Sequence, residues 1–196
     1  PKVYHFHSSW FDEERINAVG TGGVPLGLKL RLEMIRGMEW ACYKFSRVIL
    51  ILSEYSKERF KEYYSLSKPK LVKIPGGVDL KEFHPITSEE NRGDIFERLN
   101  LGEIIPLILT VRRLEERMGL ENLVLAAEIL VKKNPGRKFK LVIVGKGSLR
   151  ERLENLIEKK NLSDTVQLSG LVPRETLPLY FRAADLFVLP TTAIEG

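Results

Sequence analysis

The sequence has little of what would mark several common classes of protein. It contains one cysteine, Cys42, which cannot close a disulfide within the chain. A small secreted scaffold held by bridges is thereby excluded, and a reducing compartment is the expected setting. No apolar run approaches the roughly 20 residues that a membrane-spanning helix requires. The longest, such as Ile104 to Val111 and Val48 to Leu52, fall far short of it. The first residues carry no signal-peptide pattern, so the expected location is cytoplasmic, with peripheral contact at a membrane left open. Only three histidines occur, little material for a closed metal site of about four ligands. There is no Asp-x-Asp pair to bridge a divalent cation to a diphosphate. No run of Lys and Arg with interleaved aromatics points to nucleic acid.

What is present is the composition of a water-soluble globular protein, with 43% hydrophobic residues and a net charge of +5. Its 196 residues suffice for one large domain or two small ones. The charge is uneven. Residues 1–84 hold 14 basic and 10 acidic residues, whereas 85–196 hold 17 and 16. The first part is the more basic surface, suited to an anionic or membrane-borne partner if it is more than a solvated face.

Periodicity predicts an α/β chain. Val3 to His7 reads as a short strand, followed by a loop containing Gly20, Gly22 and Gly23. Leu28, Leu32, Ile35, Cys42 and Phe45 then recur at helical spacing and predict one buried stripe. On that stripe Cys42 is expected to be a small buried hydrophobe. "RVILIL" is apolar at nearly every position, as a strand covered on both faces of a parallel sheet would be. Ser53 is a good N-cap for a helix through Tyr64. "LVKIPGGVD" reads as a strand running into a turn, and the mixed segment 85–104, with one weakly helical piece at Ile95 to Leu99, as a linker. Beyond it strand and helix alternate: "IPLILTV", Leu120 to Lys133, "FKLVIVG", Leu149 to Lys160, "TVQLSG", Glu175 to Ala184, "DLFVLP". Such alternation predicts a doubly wound parallel sheet.

Ligands of open α/β sheets bind beyond the carboxyl ends of the strands, and five such places stand out. "LVIVGKGSLRERL" runs a buried strand into Gly145 and Gly147 and then a helix, which suits either close backbone approach to a ligand or a tight turn. It lacks the third glycine of a dinucleotide fingerprint. "VRRLEERMG" carries Arg112, Arg113 and Arg117 directly after a buried strand, where guanidinium forks could hold phosphate oxygens or pair with Glu115 and Glu116. In "YHFH", His5 and His7 face the same side of a strand, so one could act as a general base or simply be hydrogen-bonded in place. "IPGGVD" offers paired glycines for a tight turn at a cleft or in a connector. The last is the terminal "LPTTAIEG", with Glu195 after a strand end.

Taken in order, "IPGGVDLKEFHP", "LTVRRLEERMGLENLVLAAEIL", "LVIVGKGSLRERL" and "QLSGLVPRETLPLYFRAADLFVLPTTAIEG" resemble the successive motifs of the retaining family 4 glycosyltransferases of GT-B architecture. The preceding "RVILILSEYSKERF" resembles the second half of that family's N-terminal domain. The resemblance implies two Rossmann-like domains, both incomplete here. Residues 1–84 would be the second half of an acceptor-side domain and 105–196 the first two-thirds of a donor-binding domain. It further implies a nucleotide-sugar donor, an unknown hydroxyl acceptor and no cofactor or metal.

Carried over residue by residue, Arg113 matches the family arginine on the donor diphosphate, and the family lysine falls on Met118, leaving neighbouring Arg117 as the second candidate cation. Glu195 matches the first glutamate of the pair that binds donor-sugar hydroxyls. Gly145 and Gly147 match the glycine loop near the nucleotide, and Val172 the position whose backbone contacts the base. His7, on the later of the family's two histidine-bearing strands, is the candidate catalytic residue. Gly76 stands where the family usually has Asn. The activity implied is sugar transfer with retention of configuration, the departing diphosphate being stabilised by arginine and a helix N-terminus. Little transfer is expected of the 196-residue chain alone. The rival readings are a non-catalytic nucleotide-binding or assembly module and a dinucleotide-dependent enzyme.

Overall fold

A computed structural model describes residues 2–18, 26–66 and 69–192 of the chain. They divide into two compact units, one of described residues up to Gly77 and one from Val78 onward.

In the first unit, β1 (Val3–Phe6), β2 (Val48–Ile51) and β3 (Lys70–Lys73) form a parallel sheet in the order β1-β2-β3. Three helices intervene: α1 (Trp10–Ala18), α2 (Leu26–Lys44) and α3 (Glu54–Tyr64). The core is aromatic, with Phe6, Tyr43, Phe60 and Tyr64 packed edge to face around Ile49 and Ile51. Ser53 caps α3 by accepting from the Ser56 N–H, as expected.

Two expectations are overturned here. The buried side of α2 is Leu32, Ile35, Glu39 and Tyr43, whereas Cys42 is exposed and Phe45 is 68% exposed. The helix turns inward on Tyr43 because that ring fills the aromatic core, and on Glu39 because five donors converge on its carboxylate. Those donors are the Ser9, Tyr43 and Tyr64 hydroxyls and the N–H groups of Trp10 and Phe11. Burial, and then the negative charge beside them, push the Tyr43 and Tyr64 phenols well above their ordinary range. The Glu39 contacts also explain α1, which falls where the sequence suggests loop. Its first N–H groups are satisfied by a carboxylate from another helix.

In the second unit, β4 (Leu107–Val111), β5 (Lys140–Val144), β6 (Val166–Gly170) and β7 (Leu186–Phe187) form a parallel sheet in the order β6-β5-β4-β7. The remaining helices are α4 (Arg92–Arg98), α5 (Leu120–Lys133), α6 (Arg150–Lys159) and α7 (Leu177–Ala183). The central strands are covered on both faces. Leu141 and Ile143 of β5 pack with α5 and α6, and Val142 and Val144 pack with α4 and α7. This is the doubly wound arrangement that the apolar runs predict.

The segment expected as a linker, 85–104, packs with this unit. Ile95, Phe96, Leu99 and Leu101 are buried against Leu107, Leu109 and Tyr180. Arg92 donates to the Ala183 carbonyl and pairs with Asp185, whose Oδ2 also accepts from the Leu107 N–H. Four apolar side chains in a short polar stretch suffice to seat it, and the contact boundary moves back to Gly77/Val78.

Candidate functional site

The site is built by the loops that follow β4, β5 and β6, and main-chain hydrogen bonds join these loops to one another. The Arg112 N–H donates to the Val144 carbonyl (2.9 Å), and the Leu114 N–H to the Lys146 carbonyl (2.9 Å). The Leu149 N–H returns to the Leu114 carbonyl (2.9 Å), and the Gly145 N–H reaches the Gly170 carbonyl (2.8 Å). Arg113 therefore stands directly alongside Gly145.

This zipper accounts for the glycine pair. At Gly145, φ is +147°, and a Cβ would lie 1.8 Å from the Arg112 carbonyl oxygen. At Gly147 a Cβ would lie 2.3 Å from the Leu114 carbonyl oxygen. The backbone that these glycines admit is that of the arginine loop, so of the two uses left open for them the tight, ligand-independent one is real. The glycines of "IPGGVD" behave differently. Neither Gly76 nor Gly77 adopts left-handed backbone or crowds a neighbour, so the turn does not depend on them.

A cavity of about 460 Å³ opens over the joined loops. Its floor is Val111, Val144 and Leu171 at the carboxyl ends of three neighbouring strands, and Arg113, Gly145, Lys146, Gly147 and Val172 line it. Four of the residues singled out from the sequence thus share one wall: Arg113, Gly145, Gly147 and Val172. Arg117 is not among the lining residues; its carbonyl accepts from the Thr192 N–H (3.1 Å) and hydroxyl (3.2 Å). Arg112 donates to the Thr191 hydroxyl. These contacts fix the last described residues onto the arginine loop. Glu195 lies outside the described residues.

The alternative of an Arg113 ion pair with Glu115 or Glu116 is not what forms. Glu115 accepts from the Ser148 hydroxyl (2.8 Å) and N–H, and Glu116 pairs with Arg152 (2.8 Å). Among the described residues the Arg113 guanidinium has no carboxylate partner. Helix α6 begins three residues past Gly147, with Leu149 at its cap and no side-chain hydrogen bond capping its first N–H groups. Met118 is 5% exposed and packed among Leu114, Leu120 and Leu153. Its apolar character is thus accounted for by packing.

Sequence reasoning missed Lys146, although it stands inside the quoted glycine motif, and missed the apolar floor, which no motif marks. It also missed a second cavity of about 620 Å³ that shares Val111 and Leu177 with the first. That cavity is lined by Val78, Phe83, His84, Phe181 and Phe187. His7 belongs to the other unit, exposed just past the carboxyl end of β1, its ring 3.9 Å from that of His5. Among the described residues no group of three or more His, Cys, Asp or Glu is placed to hold a metal ion, and no helix is long and apolar enough to cross a membrane.

Comparison with known proteins bears on this geometry. Residues 91–196 match the family described as "Glycosyl transferases group 1". A GDP-mannose-dependent monoacylated alpha-(1-6)-phosphatidylinositol monomannoside mannosyltransferase of Corynebacterium glutamicum is 29% identical over 76% of this chain and 38% of its own length. Among solved structures, sucrose-phosphate synthase from Thermosynechococcus elongatus superposes with a TM-score of 0.71 at 25% identity, over 96% of this chain and 44% of that one. Anabaena HepE, solved with UDP and glucose, superposes with a TM-score of 0.74 at 17% identity, over 100% of this chain and 47% of that one, a likeness of fold. The chain thus spans less than half the length of each, and its two Rossmann-like parallel sheets are of the GT-B type.

Proposed function

Because the chain belongs to the group 1 glycosyltransferases, we propose that the whole protein moves a sugar from a nucleoside diphosphate sugar to an acceptor hydroxyl with retention of anomeric configuration, as a family 4 enzyme. The observation that carries this reading is the single cavity in which Arg113, Gly145, Gly147 and Val172 meet at the strand ends. Arg113 and the α6 N-terminus would stabilise the negative charge that grows on the diphosphate as the glycosidic bond breaks. Protein groups then do what a cation would otherwise do, and the reaction requires no metal. In the whole enzyme the backbone at Val172 would contact the base, Glu195 would bind donor-sugar hydroxyls and His7 would be the catalytic residue. The basic excess of residues 1–84 suits an anionic or membrane-borne acceptor. The C. glutamicum relative is named for a phosphatidylinositol-based acceptor. For the 196-residue chain alone we expect nucleotide binding with little turnover.

The test is thermal unfolding of the chain titrated with UDP, GDP and NAD. A ligand at 100 times its Kd stabilises by about 2.7 kcal/mol. UDP or GDP should raise the transition, NAD should not, and Arg113→Ala should abolish the response. If neither diphosphate shifts unfolding, the donor-site reading fails. If the intact reading frame binds a diphosphate but turns over no nucleotide-sugar, the protein is the non-catalytic module instead.

A further inference from the structure

Beside Arg112 and Arg113, the cavity wall carries a third cation, Lys146, that the family motifs do not assign. We propose that Lys146 is a contact to the donor diphosphate, filling a place that Met118, turned into the core, leaves empty. The inference rests on the nucleotide-diphosphate reading of the same cavity.

Three observations support it. First, position: the Leu114 N–H bonds to the Lys146 carbonyl (2.9 Å), which fixes the Lys146 backbone beside the loop that carries Arg113, and both residues line the cavity. Second, charge balance: Glu115 is the one acidic residue on that wall, and it is turned to the Ser148 hydroxyl and N–H. Among the described residues the Lys146 ammonium, like the Arg113 guanidinium, has no hydrogen-bond or ion-pair partner. Third, elimination. Of the nearby cations, Arg150 pairs with Glu154 (2.8 Å) and Arg152 with Glu116 and Glu121, while Arg112 reaches Thr191. Two positive side chains without acidic partners, on backbones held together, suit two linked phosphates. The planar guanidinium can take two oxygens of one and the compact ammonium an oxygen of the other.

The experiment measures binding of UDP, GDP and the corresponding nucleosides to the wild-type chain, Lys146→Met and Lys146→Arg, by calorimetry at two salt concentrations. Lys146→Met should weaken the diphosphate by about tenfold, the size of one charge-assisted hydrogen bond near a surface. It should also flatten the salt dependence while leaving the nucleoside unchanged, and Lys146→Arg should restore most of the loss. Unchanged diphosphate affinity in Lys146→Met overturns the proposal, as does an equal loss for the nucleoside, which would mark a structural role. If the wild-type chain binds neither diphosphate, the cavity reading itself falls, and the role of Lys146 with it.

Discussion

Gly145→Ala tests whether the glycine loop serves the arginine loop or a ligand. The new Cβ would sit 1.8 Å from the Arg112 carbonyl oxygen, where real Cβ contacts essentially never fall under 3.0 Å, and that oxygen belongs to backbone. The two loops must part by about 1 Å, which pulls on the hydrogen bonds from Arg112 to Val144 and from Leu114 to Lys146. Loss of the two, at about 1 kcal/mol each, and a positive φ at about 1–2 kcal/mol predict destabilisation by about 3–4 kcal/mol. Gly136 supplies the control, since its φ is +85° but a Cβ there meets nothing within 4 Å. Gly136→Ala should therefore cost only the conformational part, about 1–2 kcal/mol. Guanidinium unfolding followed by far-UV circular dichroism is the suitable assay, because both tryptophans, Trp10 and Trp40, lie in the other unit. Diphosphate affinity should fall in parallel with stability. A Gly145→Ala chain that unfolds at the wild-type denaturant concentration yet loses nucleotide would refute the reasoning, because the glycine would then be there for the ligand.

Met118→Ala should cost about 2–4 kcal/mol, as buried methionines do, and leave UDP and GDP affinity unchanged once the folded fraction is accounted for; calorimetry on folded chain checks it. Glu39→Ala removes the shared acceptor of five donors; the Ser9 and Tyr64 hydroxyls can still bond each other, and the rest should cost about 3–5 kcal/mol at about 1–3 kcal/mol per buried group left unsatisfied, with part of the helical signal at 222 nm lost as α1 frays. Acid should weaken the second unit through Asp185. Burial pushes this carboxyl up, but the Leu107 N–H and Arg92 outweigh it and hold the carboxyl below its ordinary range. Its contribution is therefore present above pH about 4 and lost as pH falls through the depressed value. Asp185→Asn should flatten the decline of the denaturation midpoint below pH 4, and an unchanged slope would count against it.

Most strands and helices were legible because their signals are local. "LVIVG" and "RVILIL" are apolar at almost every position and both are strands; β5 is buried on both faces as such a run suggests, whereas in β2 Ile49 and Ile51 are buried and Val48 and Leu50 only half-buried. Ser53 announces its helix by side-chain chemistry alone. What was not legible depends on partners distant in sequence. Helix α1 is polar, and its N-terminus is satisfied by Glu39, a residue that reads from sequence as one more surface acid. The stripe on α2 was misplaced toward Cys42 because hydrophobicity ranks cysteine above tyrosine, whereas the core selects Tyr43 for ring area and a hydroxyl that reaches Glu39. Helix α4 was too short for periodicity to separate it from a linker.

The site divides along the same line. Arg113, Gly145, Gly147 and Val172 could be picked out because strand ends and glycines are visible in sequence, but their cooperation is a property of the backbone zipper. Both cations sit on loops positioned by N–H and carbonyl groups, with no side chain of their own holding them. Such a frame leaves the side chains at 113 and 146 free to change without unfolding the unit, while the glycines at 145 and 147 are not. The positions that set ligand charge are therefore separable from those that set the loop geometry. That separation lets the charge at position 146 vary independently of position 118, which the core has claimed.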